Sequence, residues 1–337
     1  MAHETVAAAE ELLDREFPVL DHGFVRLVDY CGGDGRIVQA ARVSYGAGTK
    51  TYREDRGLIH YLLRNEHTSP FEQVSLTFHA KMPIFVARQW VRHRTARLNE
   101  ISGRYSVMKD EFYLPEGAAI APQSNDNKQG RSADAFGRDE QESIRTALQE
   151  EQSRSYRAYE NLLEQDVARE LARINLPLSM YTEWYWQIDL HNLFHFLALR
   201  LDAHAQYEIR AYAEVMLDIT RRVCPVATEA FEEHRIGAVR FSRREFVALQ
   251  TLLGLDGTEE TAESKQATAG ADADSRRPAA NAAESKQATA AAGADSERPA
   301  TDVAESERAI TAAAENAGLT GREVKRFLEK VRTGKMG

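Results

Sequence analysis

Apolar and polar positions divide most of this chain into short elements. "HGFVRLVDYC" (22–31) and "EQVSLTFHAKM" (72–82) alternate with a period near two and predict half-buried strands. "GRIVQAARVSY" (35–45), "REDRGLIHYLLRNE" (53–66) and "EEQSRSYRAYENLLEQ" (150–165) carry apolar residues at helical spacing. "PIFVARQWVRHR" (83–94) opens with proline where a helix can begin without losing a hydrogen bond. "TARLNEI" (95–101) reads as the exit from that helix, and "GRYSVM" (103–108) as a short strand. "PQSNDNKQGRSADAFGRDEQ" (122–141) is polar and predicts an exposed loop or helix lead-in. One long helix is expected from about 190 to 222. The predicted class is α+β, with long helices packed on a modest, mainly antiparallel sheet.

The pattern changes after about residue 254. "AESKQATA" occurs at 262–269 and again at 283–290, a period of 21 residues, and a degenerate copy, "AESERAIT", starts at 304. A fixed period can mean a stacked solenoid. These repeats hold almost no large apolar residue, so stacking them would bury nothing, and a disordered linker is expected. In "GLTGREVKRFLEKVRTGKMG" (318–337) Leu319, Val324, Phe327, Leu328 and Val331 again form one apolar stripe. The expected organisation is an N-terminal helical extension at 1–16, a globular domain at 17–253, a low-complexity linker at 254–317 and a C-terminal helix at 318–337.

Composition narrows the function classes. Of 337 residues, 43% are hydrophobic, enough for a sizeable core. Cys31 and Cys224 are the only cysteines, too few for a disulfide framework, so a cytoplasmic setting is expected. The N-terminus lacks the basic and apolar regions of a signal peptide, and no run of about 18 apolar residues suggests a membrane span. The net charge of −9 argues against a general nucleic-acid coat but not against a local basic pocket.

Such a pocket is visible in "RHRTARLNEISGRY" (92–105), which holds four arginines and a histidine. A helix through 83–94 would set Gln89, Arg92 and His93 on one face. Ser102, Gly103 and Arg104 bring a hydroxyl, an unobstructed backbone and a bidentate fork, a set suited to one phosphate. Arg92, His93 and Arg94 make a second anion site. Three readings stay open on the residues alone: a solvated basic face, two phosphate pockets joined by a loop, and a nucleic-acid surface.

Arg92-His93-Arg94, a seven-residue spacer and Ser102-Gly103-Arg104 resemble the signature of flavin-dependent thymidylate synthases. "AARVSYG" (40–46), "HTSPFEQ" (67–73) and "RINLPLSMYTEWYWQIDLHNLFHFLALRLDAHAQYEIRAYA" (173–213) resemble further blocks of that family in the same order. The resemblance implies transfer of the methylene group of 5,10-methylenetetrahydrofolate to dUMP. FAD, reduced by NADPH, completes the reaction to dTMP and tetrahydrofolate. By the same resemblance Gln89, Arg92, Glu100, Ser102, Gly103, Arg104, Arg173 and Arg200 meet dUMP. Ser69, Arg92, His93, Arg94, Glu100, Asp189, His191 and His195 meet FAD. His67 and Tyr105 line the face where folate or NADPH approaches. Arg200 is the expected catalytic group, stabilising negative charge on the pyrimidine carbonyl as hydride reaches C6. Asp189, His191 and His195 stand where some members carry asparagine and arginine. No cysteine nucleophile is implied, and neither Cys31 nor Cys224 has an adjacent histidine base.

Other patterns compete. His191, His195 and Asp202 have the spacing of a two-histidine, one-carboxylate metal site, but no glutamate follows His191, and Phe194 and Phe196 suggest a pocket for a flat ring. No metal is therefore expected. "CGGDGRIV" (31–38) mimics a dinucleotide fingerprint without its third glycine and reads as a helix-entry loop. On a straight helix Arg200 lies about 140° round from His195. Either that helix is distorted or its two sides serve different sites in an oligomer, and the resemblance implies a homotetramer with shared sites. A rival to the enzyme is an RNA-binding module built on the arginines, with the repeat tail as tether. It leaves "HTSPFEQ" and "DAHAQYEIR" without a role, so no nucleic-acid or membrane partner is expected.

Overall fold

The computed structural model describes residues 4–43, 52–125, 129–253 and 300–333. The copies of the repeat at 262–269 and 283–290, and the end of "AARVSYG", lie outside them. The chain divides into two compact units, Met1–Ile236 and Gly237–Gly337.

The first unit is built on five antiparallel strands in the order β1-β2-β3-β5-β4. A four-residue helix α1 (Ala7–Glu10) precedes β1 (Glu16–Val19) and β2 (Gly23–Cys31). Then come α2 (Asp34–Arg42), α3 (Tyr52–Arg64), β3 (Ser75–Pro83), α4 (Ile84–Trp90) and β4 (Arg97–Glu100). The helices α5 (Arg138–Glu164) and α6 (Arg169–Ala172) lead to β5 (Tyr181–Asp189). The unit ends with α7 (Leu190–Arg200), α8 (Tyr207–Val223), α9 (Pro225–Phe231) and a π-helical turn at Glu232–Ile236. Residues 7–12, expected as an extension, belong to this core: Ala9 and Leu12 are buried in it, and the Val6 N–H donates to the Tyr30 hydroxyl at 2.7 Å.

Period-two patterning explains the sheet. Leu76, Phe78, Ala80 and Met82 of β3 and Trp184, Trp186 and Ile188 of β5 point into one core, while the intervening residues stay partly exposed. Trp90 at the end of α4 is the hub of that core. Its ring lies 5.5 Å from Trp184, 5.3 Å from Trp186, 5.1 Å from Phe196 of α7 and 5.9 Å from Tyr212 of α8. Each such pair adds about 0.5–1.5 kcal/mol beyond the area it buries. Gly23 lets this layer close: a Cβ there would sit 2.7 Å from the Val19 carbonyl oxygen and 2.8 Å from that of Lys81, to which Tyr212 donates.

Three expectations change. The predicted helix over 190–222 is two helices, because the chain bends at 201–206, where Asp202 accepts from the His204 N–H at 2.8 Å. The strand β5 was not foreseen, because its aromatic run abuts the helix without a break. "GRYSVM" is a turn, closed by the Tyr105 and Ser106 N–H groups on the Ser102 carbonyl at 3.0 and 3.1 Å. The strand lies instead at Arg97–Glu100, whose four residues are all exposed and so show no alternation.

The second unit holds α10 (Arg243–Leu252), α11 (Ala300–Asn316) and α12 (Arg322–Thr333). Ala248, Ala313, Ala314, Leu319, Val324 and Phe327 form its core, and Lys330 pairs with Glu245 at 2.8 Å. The expected stripe on the last helix is present. The division at 236/237 and the helix α11 differ from the expected linker at 254–317. The packed face of α11 is supplied by Ala313 and Ala314, just past "AESERAIT" (304–311), with Ile310 beside them. No helix among the described residues is long and apolar enough to cross a membrane.

Candidate active site

Beyond Trp90 the α4 helix tightens and ends. The Val91 N–H still reaches Ala87, but those of Arg92 and His93 bond only three residues back, to Gln89 at 3.4 Å and Trp90 at 3.0 Å. Arg92-His93-Arg94 therefore leaves the helix rather than lying along its face. This aims the His93 ring at α7, where it stands edge-on to Phe196 at 4.9 Å and 6.1 Å from the His195 ring.

Arg200, the last residue of α7, donates from Nε to His93 Nε2 at 3.1 Å. A guanidinium has no acceptor, so Nε2 carries the lone pair, and the proton of the neutral imidazole is assigned to Nδ1. Burial first, then the charge of Arg200, then His195, push the His93 pKa from 6.5 down to about 4. Burial also draws the Arg200 pKa below its ordinary value. Its two Nη groups make no hydrogen bond among the described residues, so the outer fork is available to a carbonyl or an anion. His195 and Arg200 approach the same imidazole from one chain, because the long arginine side chain at the helix end spans the angular difference between them. The angular argument for sites shared between subunits thus falls away.

A second group forms around the turn after β4. The Gly103 backbone lies against Arg173: a Cβ there would sit 3.1 Å from Arg173 Cδ and 3.0 Å from Met108 Sδ. The Arg104 N–H donates to Ser102 Oγ at 3.3 Å, and the Arg104 guanidinium pairs with Glu170 at 3.0 Å. That pair is exposed and weak, so an anion can displace it. Arg169 donates to the Tyr105 carbonyl at 2.6 Å, which fixes the turn against α6. The Tyr105 ring is 78% exposed. Glu100 accepts from the Thr182 hydroxyl at 2.6 Å at the sheet edge.

The turn at 67–73 makes a third group. The His67 N–H caps α3 on the Leu62 carbonyl at 2.9 Å, and its ring meets Tyr61 edge-on at 5.7 Å. Ser69 is exposed. Phe71 is buried 6.4 Å from Phe194, which holds this turn beside α7. Within the described residues no hydrogen bond or ion pair joins one group to another.

The remaining candidates separate by role. Asp189 caps α7, accepting from the Asn192 N–H at 2.9 Å and its Nδ2 at 2.7 Å, so its carboxylate is already engaged. Gln89 donates to Gln206. His191 is half-buried on α7 and His195 exposed. Asp202 lies beyond the end of α7 and holds the His204 ring at 2.9 Å, so the spacing with His191 and His195 makes no metal site. Cys224 is buried and burial raises its pKa well above the ordinary value, the opposite of an activated thiolate. Arg169, Glu170, Thr182 and Gln206 are site neighbours that sequence reasoning missed. A recognised β5 would have exposed Thr182, and the i, i+4 spacing of Arg169 and Arg173 pointed to the former.

Arg92 and Arg94 are exposed, and neither has a carboxylate partner within 4.0 Å among the described residues. In a chain with 52 acidic residues, leaving these guanidiniums unpaired suits phosphate groups arriving from outside. The neutral, partly exposed His93 ring, backed by the buried Phe196, gives a flat, weakly polar surface beside them. The donor set thus fits a flavin dinucleotide, and the glycine-lined cradle with Arg173 fits a nucleotide monophosphate.

A family model described as "Thymidylate synthase complementing protein" matches residues 26–226. The flavin-dependent thymidylate synthase of Treponema pallidum is 61% identical over 257 residues, 76% of this chain and 84% of that protein. That of Treponema denticola is 64% identical over 252 residues, 73% of this chain and 95% of that protein. A solved structure, the UMP/dUMP methylase PolB from Streptomyces cacaoi bound with 5-Br dUMP, aligns with a TM-score of 0.59 at 35% identity. It covers 65% of this chain and 98% of that one.

Proposed function

The chain belongs to the family of flavin-dependent thymidylate synthases, and from that premise we propose how its residues divide the work on dUMP. It forms dTMP from dUMP and 5,10-methylenetetrahydrofolate, releasing tetrahydrofolate. The chemistry FAD supplies when bound is hydride delivery to the pyrimidine, with NADPH as the source of electrons. The observation that carries the assignment of roles is the Arg200–His93 pair, a guanidinium with a free outer fork set on a neutral imidazole.

Arg200 holds the uracil ring and stabilises the charge that builds on its carbonyl as C6 is reduced. Gln89, Ser102, Gly103, Arg104 and Arg173 hold the ribose and phosphate of dUMP. Arg92 and Arg94 neutralise the phosphates of FAD, with Ser69 at one of them. His93 stays uncharged, so that no further cation crowds Arg200 and the flavin. His191 and His195 flank the same cofactor, Glu100 borders both ligands, and His67 and Tyr105 line the entry of folate and NADPH. Asp189 acts through the helix cap that aims His191 and His195.

The enzyme works as a homotetramer with sites shared between subunits. Exposed apolar residues support this reading, with Leu171, Ile174 and Leu178 at 57%, 70% and 61% exposure beside the Arg173 turn. A cytoplasmic setting fits two cysteines that form no disulfide. Mixing inactive Arg200→Ala and Arg173→Ala chains tests the sharing: restored turnover supports it, and persistent inactivity in a mixed tetramer opposes it. The chemistry is tested by the visible spectrum of the purified protein, recorded anaerobically before and after NADPH and dUMP. A flavin spectrum that bleaches, with dTMP formed once the folate is added, is the expected result. A protein that neither binds FAD nor oxidises NADPH would overturn the assignment.

A further inference from the structure

The bond that closes the first unit on its far helices is unusual. His60 on α3 and His234 on the π-helical turn face each other, with His60 Nδ1 3.1 Å from His234 Nε2. Their rings are perpendicular, at 88°. Glu233 Oε2 lies 3.9 Å from the same His60 nitrogen, and one ligand atom from each of the three residues falls within 4.8 Å of the others. On the other side of the ring, His60 Nε2 is buried with no hydrogen-bond partner, 4.0 Å from Glu229 Oε2. Glu229 is itself fixed by Arg56, whose Nε donates at 3.1 Å.

We propose that His60, Glu233 and His234 bind a divalent transition-metal ion of the zinc class, which clips α3 to the end of α9. The distances fit. Metal–nitrogen bonds of about 2.0–2.1 Å in a tetrahedral site put two ligand nitrogens about 3.3–3.4 Å apart, close to the 3.1 Å between the two rings. Glu233 is 64% exposed, free to swing its oxygen in from 3.9 Å to the roughly 3.3 Å that such a site needs. The fourth position faces solvent on that side and takes water. Glu229 stands where a carboxylate orients a metal-bound histidine: a small approach from 4.0 Å would let it accept a hydrogen bond from Nε2–H, which leaves the Nδ1 lone pair for the ion. Burial, followed by Arg56, lowers the His60 pKa, which keeps the imidazole neutral as a ligand must be. Two carboxylates against the one guanidinium of Arg56 leave the immediate surroundings negative. Both Glu233 and His234 come from a π-helical turn, a form frequent at functional sites.

The site has no part in the nucleotide chemistry, and its failure would leave the proposed function untouched. Its role is structural. The helix α3 runs directly into the turn at 67–73, and Phe231 at the end of α9 stacks on Phe194 of α7 at 4.4 Å and 4°. A clip between α3 and α9 thus stiffens two supports of the α7 helix.

The test uses the full chain, stripped with a chelator and dialysed against zinc sulfate, with zinc counted by mass spectrometry. Cobalt chloride in place of zinc reports ligand geometry through its d–d absorption. The wild type is expected to retain one zinc per chain and to melt at a higher temperature with zinc than without. His234→Ala and the exposed Glu233→Gln should each weaken binding at least tenfold, while keeping the metal-free melting temperature. His191→Ala and His195→Ala should bind as the wild type does. Equal zinc retention by wild type and His234→Ala, or zinc lost with His195→Ala instead, would overturn the proposal. So would cobalt spectra of wild type and Glu233→Gln that do not differ.

Discussion

Replacing Arg200 by alanine tests the centre of the site, because it moves two observables that a merely structural residue would not move together. The first is the titration of His93, whose pKa is held at about 4 by burial and by the adjacent guanidinium. Removing Arg200 deletes a neighbouring cation and opens the pocket to water. Both changes favour the imidazolium, so the His93 pKa must rise toward 6.5. The fall from 6.5 to about 4 is equivalent to about 3.4 kcal/mol at about 1.36 kcal/mol per pH unit. His93 is only half-buried, and solvent screening reduces its effect on stability to about 1–2 kcal/mol. The sign follows from proton linkage. The folded-state pKa lies below the unfolded value, so the unfolded chain takes up a proton first as pH falls from 6.5 to 4. Stability is full above 6.5, declines through that window, and the penalty is complete below 4. Arg200→Ala should narrow the window and lessen the decline.

The assay is nitrogen-edited NMR of the histidine rings between pH 3.5 and 8 on the chain without flavin or nucleotide, with His93 assigned by comparison with His93→Gln. The wild type should show an Nδ1–H tautomer above pH 5 and no titration near 6.5. The variant should titrate well above 4. In the loaded enzyme the same substitution should lower kcat by about 10²–10³, the cost of losing one preorganised donor to a developing oxyanion. A wild-type His93 that titrates near 6.5 would refute the environment described for it. A variant with wild-type turnover would refute the role of Arg200.

Three further outcomes are expected. Arg131 donates to both oxygens of Glu208 at 2.6 and 2.8 Å, and Glu208 is 2% exposed, so Arg131→Ala should destabilise the fold by about 3–5 kcal/mol by denaturant titration. Adding Glu208→Gln should recover part of that loss, and a loss under 1 kcal/mol for the single variant would mean that water reaches the carboxylate. Gly103→Ala should raise the KM for dUMP at least tenfold with little change in melting temperature, since its Cβ would intrude 3.1 Å from Arg173 Cδ. An unchanged KM would remove the turn from the phosphate cradle. Cys224→Ala should keep dTMP formation within a few-fold of wild type, and loss of kcat in a variant that melts normally would restore a thiol to the mechanism.

What sequence could reveal depended on whether burial wrote a period into it. The strands β2 and β3 bury one face, and alternation disclosed them. Trp184 and Trp186 of β5 alternate equally well, but Tyr185 between them is also aromatic and 44% exposed, which erased the contrast. The strand β4 is an edge with no buried residue, and its pairing to β5 is visible only in three dimensions. The break between α7 and α8 rests on Asp202 and Ala203, neither a strong helix stop. In the site, the order of blocks along the chain was legible, whereas the environment of each residue was not. Nothing local announces that His93 is neutral, because Arg200 lies 107 residues away. Nor does it show that Asp189 is a cap or that Arg104 rests on Glu170.

The misfit between the basic stretch and its acidic chain follows from what the site must accept. Several arginines elsewhere are paired, as Arg42 is to Asp55 at 2.5 Å and Arg235 to Glu66 at 2.8 Å. At 92–94 they are not, and Arg200 presses on a histidine that must forgo its own charge. The exposed arginines cost the empty chain little, but the Arg200–His93 contact is a strain that a developing oxyanion relieves, which is how binding energy is directed to the reacting atoms rather than to the fold. The aromatic hub around Trp90 sits directly beneath: Phe196 touches Trp90 on one side and His93 on the other. The well-packed core and the frustrated site thus share a side chain, so a cavity cut at Phe196 would unsettle both. A cut on the far side of Trp90, at Tyr212, would reach the core first.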